Sequence, residues 1–388
     1  MMKRYLPSVI EKSAGDVIVA DNASTDGSIE MLNQLFPNVR TILFDKNYGF
    51  AEGYNQALAQ LPEYEYYMML NSDVEIRQQG WDKILTDYMD AHPDCAACQP
   101  KLLDLRRLEE EEQKLAPGKP EEKERKQASG KPEEEEQKQA PGKPEEKERK
   151  QAPGKPERYQ EGHKTRHIYF EYAGCAGGFL DRYGYPFCRG RILNTVEEDT
   201  GQYDSVRTVL WATGAALLCR ATDWRASGGL DGRFFAHMEE IDLCWRLRTM
   251  GKDIVCVPES TAYHLGGATL NQGNPRKTFL NFRNNLLMLY KNLPEGELRR
   301  TMRVRTVLDY LAALQFLLKG DLDNMWAVIR ARRAFCRMRK EYQTIRQSIQ
   351  ASRTITKVPG RMDFSILWQY YVKGRQTFNS LVTERTQQ

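Results

Sequence analysis

Residues 16–27 read DVIVADNASTDG. Asp16 to Ala20 is a short, β-branched apolar run, and the polar turn residues Asp21-Asn22-Ala23-Ser24-Thr25-Asp26-Gly27 close it. Such a run reads as a buried strand. Ser28 to Phe36 then carries helical spacing behind Asp26 and Gly27. The unit recurs twice: strand Val39 to Phe44 with helix Gly53 to Gln60, and strand Tyr66 to Leu70 (YYMML) with helix Trp81 to Ala91. Upstream, Lys3 to Lys12 reads as a further helix. Alternating units predict an α/β fold with a mostly parallel sheet and helices on both faces. Ligands of such sheets bind beyond the carboxyl ends of the strands. The polar residues after each strand are therefore the ones to inspect.

Further on, Tyr169 to Phe179 is Gly-rich, and Val209 to Cys219 (VLWATGAALLC) reads as a strand with a Gly break. Phe234 to Met250 reads as a helix and Ile254 to Val257 as a short strand. From Thr278 the pattern is helical, with breaks near Gly320 and Pro359.

Between the two halves the composition changes. Residues 109–157 hold 15 Glu, 12 Lys or Arg and 7 Pro, and their one large aliphatic is Leu115. GKP recurs at 118–120, 130–132, 142–144 and 154–156, a period of 12. With nothing apolar to stack, this block reads as a flexible insertion with frayed helical stretches. Its GK dipeptides lack the frame of a phosphate loop.

The chain has 388 residues and a net charge of +4, which becomes +7 outside the block. That mild basicity suits an anionic ligand or a membrane surface. The longest apolar runs, five residues as in Leu286 to Tyr290, fall far short of the roughly 20 residues of a membrane span. The start, MMKRYLPSVIEKS, lacks the pattern of a secretory signal. Eight scattered cysteines are too few for a disulfide scaffold. Cys95 and Cys98 form a CxxC with no second pair at zinc spacing, so reduced core thiols are expected.

Five constellations could carry chemistry. Asp21, at a strand end, can accept hydrogen bonds from a ribose or a nucleobase, while Asp26 and Ser28 read as helix caps. Asn47-Tyr48-Gly49-Phe50-Ala51-Glu52-Gly53-Tyr54-Asn55 opens a helix, and small residues there permit close approach of an anion. No GxGxxG is present, which disfavours a nicotinamide cofactor. Asn71-Ser72-Asp73 offers a carboxylate for a hard divalent cation, or equally a turn and cap. His237 to Arg246 contains Glu239, Glu240 and Asp242, three acids that need a cation or a basic partner. One of them could take a proton from an attacking hydroxyl. His264, before two glycines, could share a metal with Asp73.

Taken together and in this order, VIVADNASTDGS, NYGFAEGYNQAL, MMLNSDV, WATGAALL, GGLDGRFFAHMEEIDLCWRL and YHLGGAT resemble the inverting GT-A glycosyltransferases. The closest likeness is to the rhamnosyltransferase-like enzymes of bacterial polysaccharide synthesis. The resemblance covers residues 15 to 290 apart from the insertion. It implies a GT-A, Rossmann-like mixed sheet with a disordered charged insertion and a C-terminal helical region. The implied division is residues 1–106 for the nucleotide-sugar half, 107–158 for the insertion, 159–290 for the acceptor and catalytic half, and 291–388 for the helical region.

The resemblance also implies roles. Asp21, Asn22, Ser24, Asn47, Gly49, Asn55 and Asn71 would bind the nucleotide. Asp73 and His264 would hold a divalent cation, Mn²⁺ or Mg²⁺. Glu240 would be the general base and Glu239 its neighbour that positions the base or the acceptor. Trp211, Gly214 and Asp242 would border the acceptor. The expected partners are a nucleotide-diphosphate sugar and a glycan or lipid-linked acceptor, not nucleic acid. The expected location is cytoplasmic, peripheral on the inner face of the bacterial plasma membrane.

Three departures from the pattern are visible. The metal motif reads Asn71-Ser72-Asp73, with an amide for one carboxylate. The base position, Glu240, is Glu where many members have Asp, and the longer arm can still serve. The family's first strand would lie upstream of Met1, leaving a parallel strand missing from the sheet. Met325 to Tyr342, with six basic residues beside Trp326, Ile329 and Phe335, reads as a basic amphipathic helix suited to anionic lipid or to packing on the catalytic domain. The competing readings are a sugar nucleotidyltransferase, whose basic Gly-rich phosphate loop is absent, and a catalytically impaired relic acting as a binding protein.

Overall fold

The computed structural model describes residues 1–115, 167–266 and 273–382. Contacts divide the chain into two units, Met1–Glu109 with His167–Gln388, and Glu110–Arg166. From residue 116 onward the charged insertion expected at 107–158 lies outside the described residues. Its first residues continue helix α5 (Leu105–Leu115).

In the larger unit the first half runs α1 (Met2–Lys12), β1 (Ile18–Asp21), α2 (Ser28–Leu35), β2 (Arg40–Leu43), α3 (Gly49–Leu58), β3 (Tyr66–Leu70), β4 (Val74–Glu75), α4 (Trp81–Ala91) and β5 (Cys95–Asp104). A small antiparallel sheet follows, of β6 (Gly178–Leu180), β7 (Pro186–Cys188), β8 (Arg191–Ile192) and β9 (Thr195–Val196). Then come β10 (Arg207–Thr208), β11 (Ala216–Arg220), α6 (Ala221–Ser227), α7 (Glu239–Thr249) and β12 (Asp253–His264). The chain ends in α8 (Pro275–Asn292), α9 (Glu295–Leu318), α10 (Leu322–Met338), α11 (Gln343–Ala351), α12 (Ile366–Tyr371) and α13 (Phe378–Leu381).

The main sheet has the order β10-β12-β5-β11-β3, with β4 on β12. It is mixed, not mostly parallel: β12 runs parallel to β5, whereas β11 is antiparallel to both β5 and β3. β1 and β2 pair in parallel as a separate two-stranded sheet. Between β1 and β3 lies a cleft of about 460 Å³, lined by Ile18, Ala20, Tyr66, Met68 and Leu70 among others.

β5 is buried along almost its whole length, as expected for a strand covered on both faces. Its sequence, CAACQPKLLD, hides this, because Gln99, Pro100 and Lys101 interrupt the apolar run. Each is accommodated. Pro100 lies where the β12 register shifts between Val257 and Thr261. Gln99 accepts from Thr213 N at 2.9 Å, and Lys101 pairs with Asp199 and Asp204 at 2.6 Å each. Cys95 and Cys98 are buried and free in this strand.

Other boundaries move for tertiary reasons. β12 runs for 12 residues because its polar Ser260 donates to Trp81 O at 2.8 Å. Residues 209–215 do not continue β11. Their backbone bonds elsewhere, as in Leu210 N to Gly178 O at 2.9 Å. α7 starts at Glu239, not near Phe234. The apolar side of α10 turns inward through Ala327, Val328, Ala331 and Phe335, so the expected amphipathic helix packs on the unit. Among the described residues, no helix is long and apolar enough to cross a membrane.

Candidate functional site

The loops after β1, β2 and β3, the segment before β11, the start of α7 and the end of β12 carry most of the residues singled out from the sequence. Asp21 is buried at the end of β1, and its Oδ1 accepts from Ser24 N at 2.8 Å. Asn22 acts as a clasp. It donates to Gly49 O at 2.9 Å and accepts from Tyr48 N at 2.8 Å. Asn47 accepts from Gly49 N at 2.8 Å and so shapes the turn into α3. Gly49 has φ +77°, and a Cβ there would lie 2.5 Å from the Phe235 ring. No other residue fits that turn without strain. Phe235 O accepts from Phe50 N at 2.7 Å and Ala51 N at 3.2 Å, which starts α3 earlier than its periodicity suggests. Asn55, expected at the nucleotide, bonds both ways to the Leu230 backbone, at 2.8 and 3.0 Å. It ties α3 to the turn before α7.

A second cluster forms where β3 ends beside β12. His264 Nε2 lies 3.1 Å from Asp73 Oδ1 and 3.4 Å from Asn71 Nδ2. On the other side His264 Nδ1 lies 3.3 Å from Glu171 Oε1. All but Asn71 are buried. Burial disfavours the imidazolium, but the two carboxylates outweigh it and raise the His264 pKa to about 10. Sequence reading missed Glu171; the only signal was an acid ahead of a Gly-rich stretch. Among the described residues, no group of three or more His, Cys, Asp or Glu could hold a metal ion. Asp73 and His264 instead pair with each other, 3.1 Å apart.

The third cluster opens α7. Residues 235–238 approach it with Phe235, His237 and Met238 all at positive φ (68°, 72° and 74°). Such conformations cost about 1–3 kcal/mol each and persist only when surroundings impose them. Asn284 of α8, fully buried, imposes them here. Its Nδ2 lies 2.9, 2.9 and 2.8 Å from the carbonyls of Phe234, Ala236 and His237. Arg283 adds bonds to Arg233 O and Phe234 O at 3.0 Å each. Neither residue stood out in the sequence, because α8 is more than forty positions away.

The loop delivers Glu239 and Glu240. Each has a buried Oε2 with no hydrogen-bond partner. Burial, then the neighbouring Glu240 charge, raises the Glu239 carboxyl well above its ordinary range. Burial pushes Glu240 to about 7. A carboxylate so placed can exchange a proton near neutral pH. Gly214 lies against this pair: a Cβ on it would sit 3.7 Å from Glu240 Cβ and 3.1 Å from Phe50. The next residue, Ala215, accepts from Asn71 N at 3.0 Å. Residues 214–215 thus connect the acid pair with the Asn71–Asp73–His264 cluster. Nearby, burial lowers the His237 pKa to about 4, leaving a neutral imidazole.

Two residues expected at the acceptor have other occupations. Trp211 is buried, donates to Phe179 O at 3.1 Å and covers Gly178, where a Cβ would meet its ring at 2.0 Å. Asp242 is fully buried and accepts from Arg246 at 2.9 Å, Lys291 at 2.8 Å and Asn292 at 2.8 Å. One helical turn from Glu239, it faces the interior.

Residues 2–144 match the sequence profile of Glycosyl transferase family 2. This match takes in less than half of the chain and supports its resemblance to the GT-A glycosyltransferases. The enzyme is similar to the N-acetylglucosaminyl-diphospho-decaprenol L-rhamnosyltransferase of Mycobacterium tuberculosis, with 24% identity over 68% of this chain and 71% of that one. Among solved structures it is similar to GalNAc-T7 with UDP, GalNAc and Mn²⁺, at TM-score 0.47 and 11% identity. That match covers 75% of the enzyme but only 45% of GalNAc-T7. It is also similar to S. aureus TarS 1–349 with UDP, at TM-score 0.41 and 12% identity over 94% of each chain.

Proposed function

We propose that the enzyme transfers a sugar from a nucleotide-diphosphate sugar to a hydroxyl of a lipid-linked or cell-surface glycan, with inversion at the anomeric carbon. The observation that carries this is Glu240, a carboxylate with a partnerless oxygen and a pKa near 7, set beside Gly214. In a single displacement, Glu240 takes the proton of the acceptor hydroxyl as its oxygen attacks the anomeric carbon. The sugar–phosphate bond breaks and its electron pair leaves with the nucleoside diphosphate. Glu239, kept protonated by burial, orients the acceptor or Glu240 without adding a second charge.

Asp21, with the loop shaped by Asn22, Asn47 and Gly49, receives the nucleoside. Asp73 and His264, with Asn71 beside them, would hold a divalent cation, for which His264 must give up the proton that its two carboxylates favour. Bound there, Mn²⁺ or Mg²⁺ supplies positive charge to the diphosphate leaving group. The lipid-linked acceptor is supported by the name of the mycobacterial relative.

The separation of β1 and β2 from the main sheet favours a second reading, an impaired transferase that only binds its ligand. One experiment tests both. Donor binding is followed by thermal shift with UDP-, dTDP- and GDP-sugars, with and without Mn²⁺, and transfer is measured in parallel. Glu240→Gln is expected to lower transfer by about 10²–10⁴-fold while the donor still stabilises the protein. Transfer that survives Glu240→Gln overturns the base assignment. Donor binding without transfer in the unaltered chain supports the second reading.

A further inference from the structure

We propose that the exposed face of the α9–α10 hairpin docks on an anionic lipid surface. α9 is amphipathic in the inverted sense. Its buried face carries Thr301, Arg305, Asp309 and Ala313. Its solvent face carries Val307, Leu311, Leu314 and Leu318, at i, i+4, i+7 and i+11, so they form one stripe. Val307 is 60% and Leu318 80% exposed. α10 extends the apolar surface with Leu322 and Trp326, 52% and 48% exposed.

The rotation of α9 is fixed by its buried charges. Arg305 pairs with Asp309 at 3.2 Å and donates to Tyr183 O at 3.0 Å. Arg332 of α10 closes the network on Asp309 and donates to Thr306 Oγ1 at 2.7 Å. A turn of the helix that hid the leucines would break these bonds and leave charges unpaired, at a cost of several kcal/mol. The fold therefore holds the leucines outward.

Both stripes end in cations. Arg303 precedes Val307 by one turn on α9. On α10 the stripe of Leu322 and Trp326 continues into Arg330, Arg333 and Arg337, all exposed. Leucines and a tryptophan flanked by arginines match an interface with acyl chains beneath and anionic headgroups above. A contiguous apolar surface of this kind on a soluble unit marks an interaction site.

The docking face is joined to the site. α10 packs along α8, whose Asn284 holds the loop before Glu239. Asn324 of α10 donates to Gly273 O at 2.8 Å, just ahead of α8. The proposal deepens the lipid-linked acceptor reading and rests on it for its purpose: the helices that meet the bilayer pack on α8, which braces the acid pair.

The test is co-sedimentation of the full chain with vesicles of phosphatidylcholine, alone or with about 30% phosphatidylglycerol, at about 0.1 M salt. Binding to the anionic vesicles is expected, weakening as salt rises. Leu314→Glu with Leu318→Glu should weaken it about a hundredfold, roughly tenfold for each leucine withdrawn from lipid. Arg330→Glu with Arg333→Glu should weaken it and flatten the salt dependence. No binding by the unaltered chain overturns the proposal. So does a dimer in sedimentation velocity that the leucine variant dissociates, because the face would then meet a second copy. Donor thermal shift on the same samples separates the two readings. Donor binding without vesicle binding removes the docking face alone. Vesicle binding without donor binding removes the transferase reading and leaves the docking face standing.

Discussion

Asp242→Asn separates a structural from an acceptor-binding role for an acid inside the most conspicuous motif of the chain. The substitution keeps volume and removes one buried negative charge. Asp242 is fully buried, and three donors point at it: Arg246, Lys291 and Asn292, at 2.8–2.9 Å. An amide can accept on one oxygen only, so one donor meets an NH₂ group. Removing one partner of a buried pair costs about 3–5 kcal/mol. Lys291 keeps Asp231 at 2.7 Å, which places the expected loss at the low end, about 3 kcal/mol. With a urea slope near the top of the usual range, about 3 kcal/mol/M, the unfolding midpoint should fall by about 1 M.

The pH dependence has a definite sign. Burial pushes the Asp242 carboxyl upward, but Lys291 and Arg246 outweigh burial and hold it below the ordinary range. Its stabilisation is therefore present above the unfolded value near 4 and is lost as pH falls through the lower native value. The gap between the unaltered chain and the variant should be full at pH 7 and shrink below about pH 4. The assay is urea unfolding by tryptophan fluorescence at both pH values. A midpoint within about 0.2 M of the unaltered chain, together with a raised acceptor KM, would refute this reasoning. It would return Asp242 to the acceptor.

Two further outcomes follow from the acid pair and its brace. Because burial raises Glu240 to about 7 and the base must be ionised, kcat should rise about tenfold per pH unit below 7 and level off above it. That limb should vanish in the residual activity of Glu240→Gln. Asn284→Ala should free the carbonyls of Phe234, Ala236 and His237, letting Phe235, His237 and Met238 leave positive φ. We expect kcat to fall at least about tenfold with donor Kd little changed and a stability loss of about 1–3 kcal/mol. Equal losses in kcat and donor affinity would show that Asn284 supports the whole unit instead of the loop.

Much of the site was legible because its residues sit in short segments with local signals. Asp21, Asn71 and Asp73 follow apolar runs that declare themselves as strands. Glu239 and Glu240 open a helix with three acids in four positions. The occupation of their neighbours was not legible. Asn22, Asn55, Trp211 and Asp242 lie in the same motifs, yet their side chains bond to Gly49, Leu230, Phe179 and Lys291, positions fixed only by folding. Glu171, Arg283 and Asn284 were missed for the complementary reason. They act on segments far off in sequence and carry no periodic signal of their own.

The sequence by itself determined the alternation of strand and helix and the polar strand ends, since hydrophobic periodicity and turn residues are local properties. Tertiary structure decided the rest. β5 is central although its middle reads QPK, because Thr213, Asp199 and Asp204 satisfy Gln99 and Lys101. α3 begins at Gly49 because Phe235 O caps it. α9 turns its leucines outward because Arg305 and Asp309 find their partners inside. In each case a buried polar group had to be paired, and its partner lay too far along the chain for any local pattern to reveal.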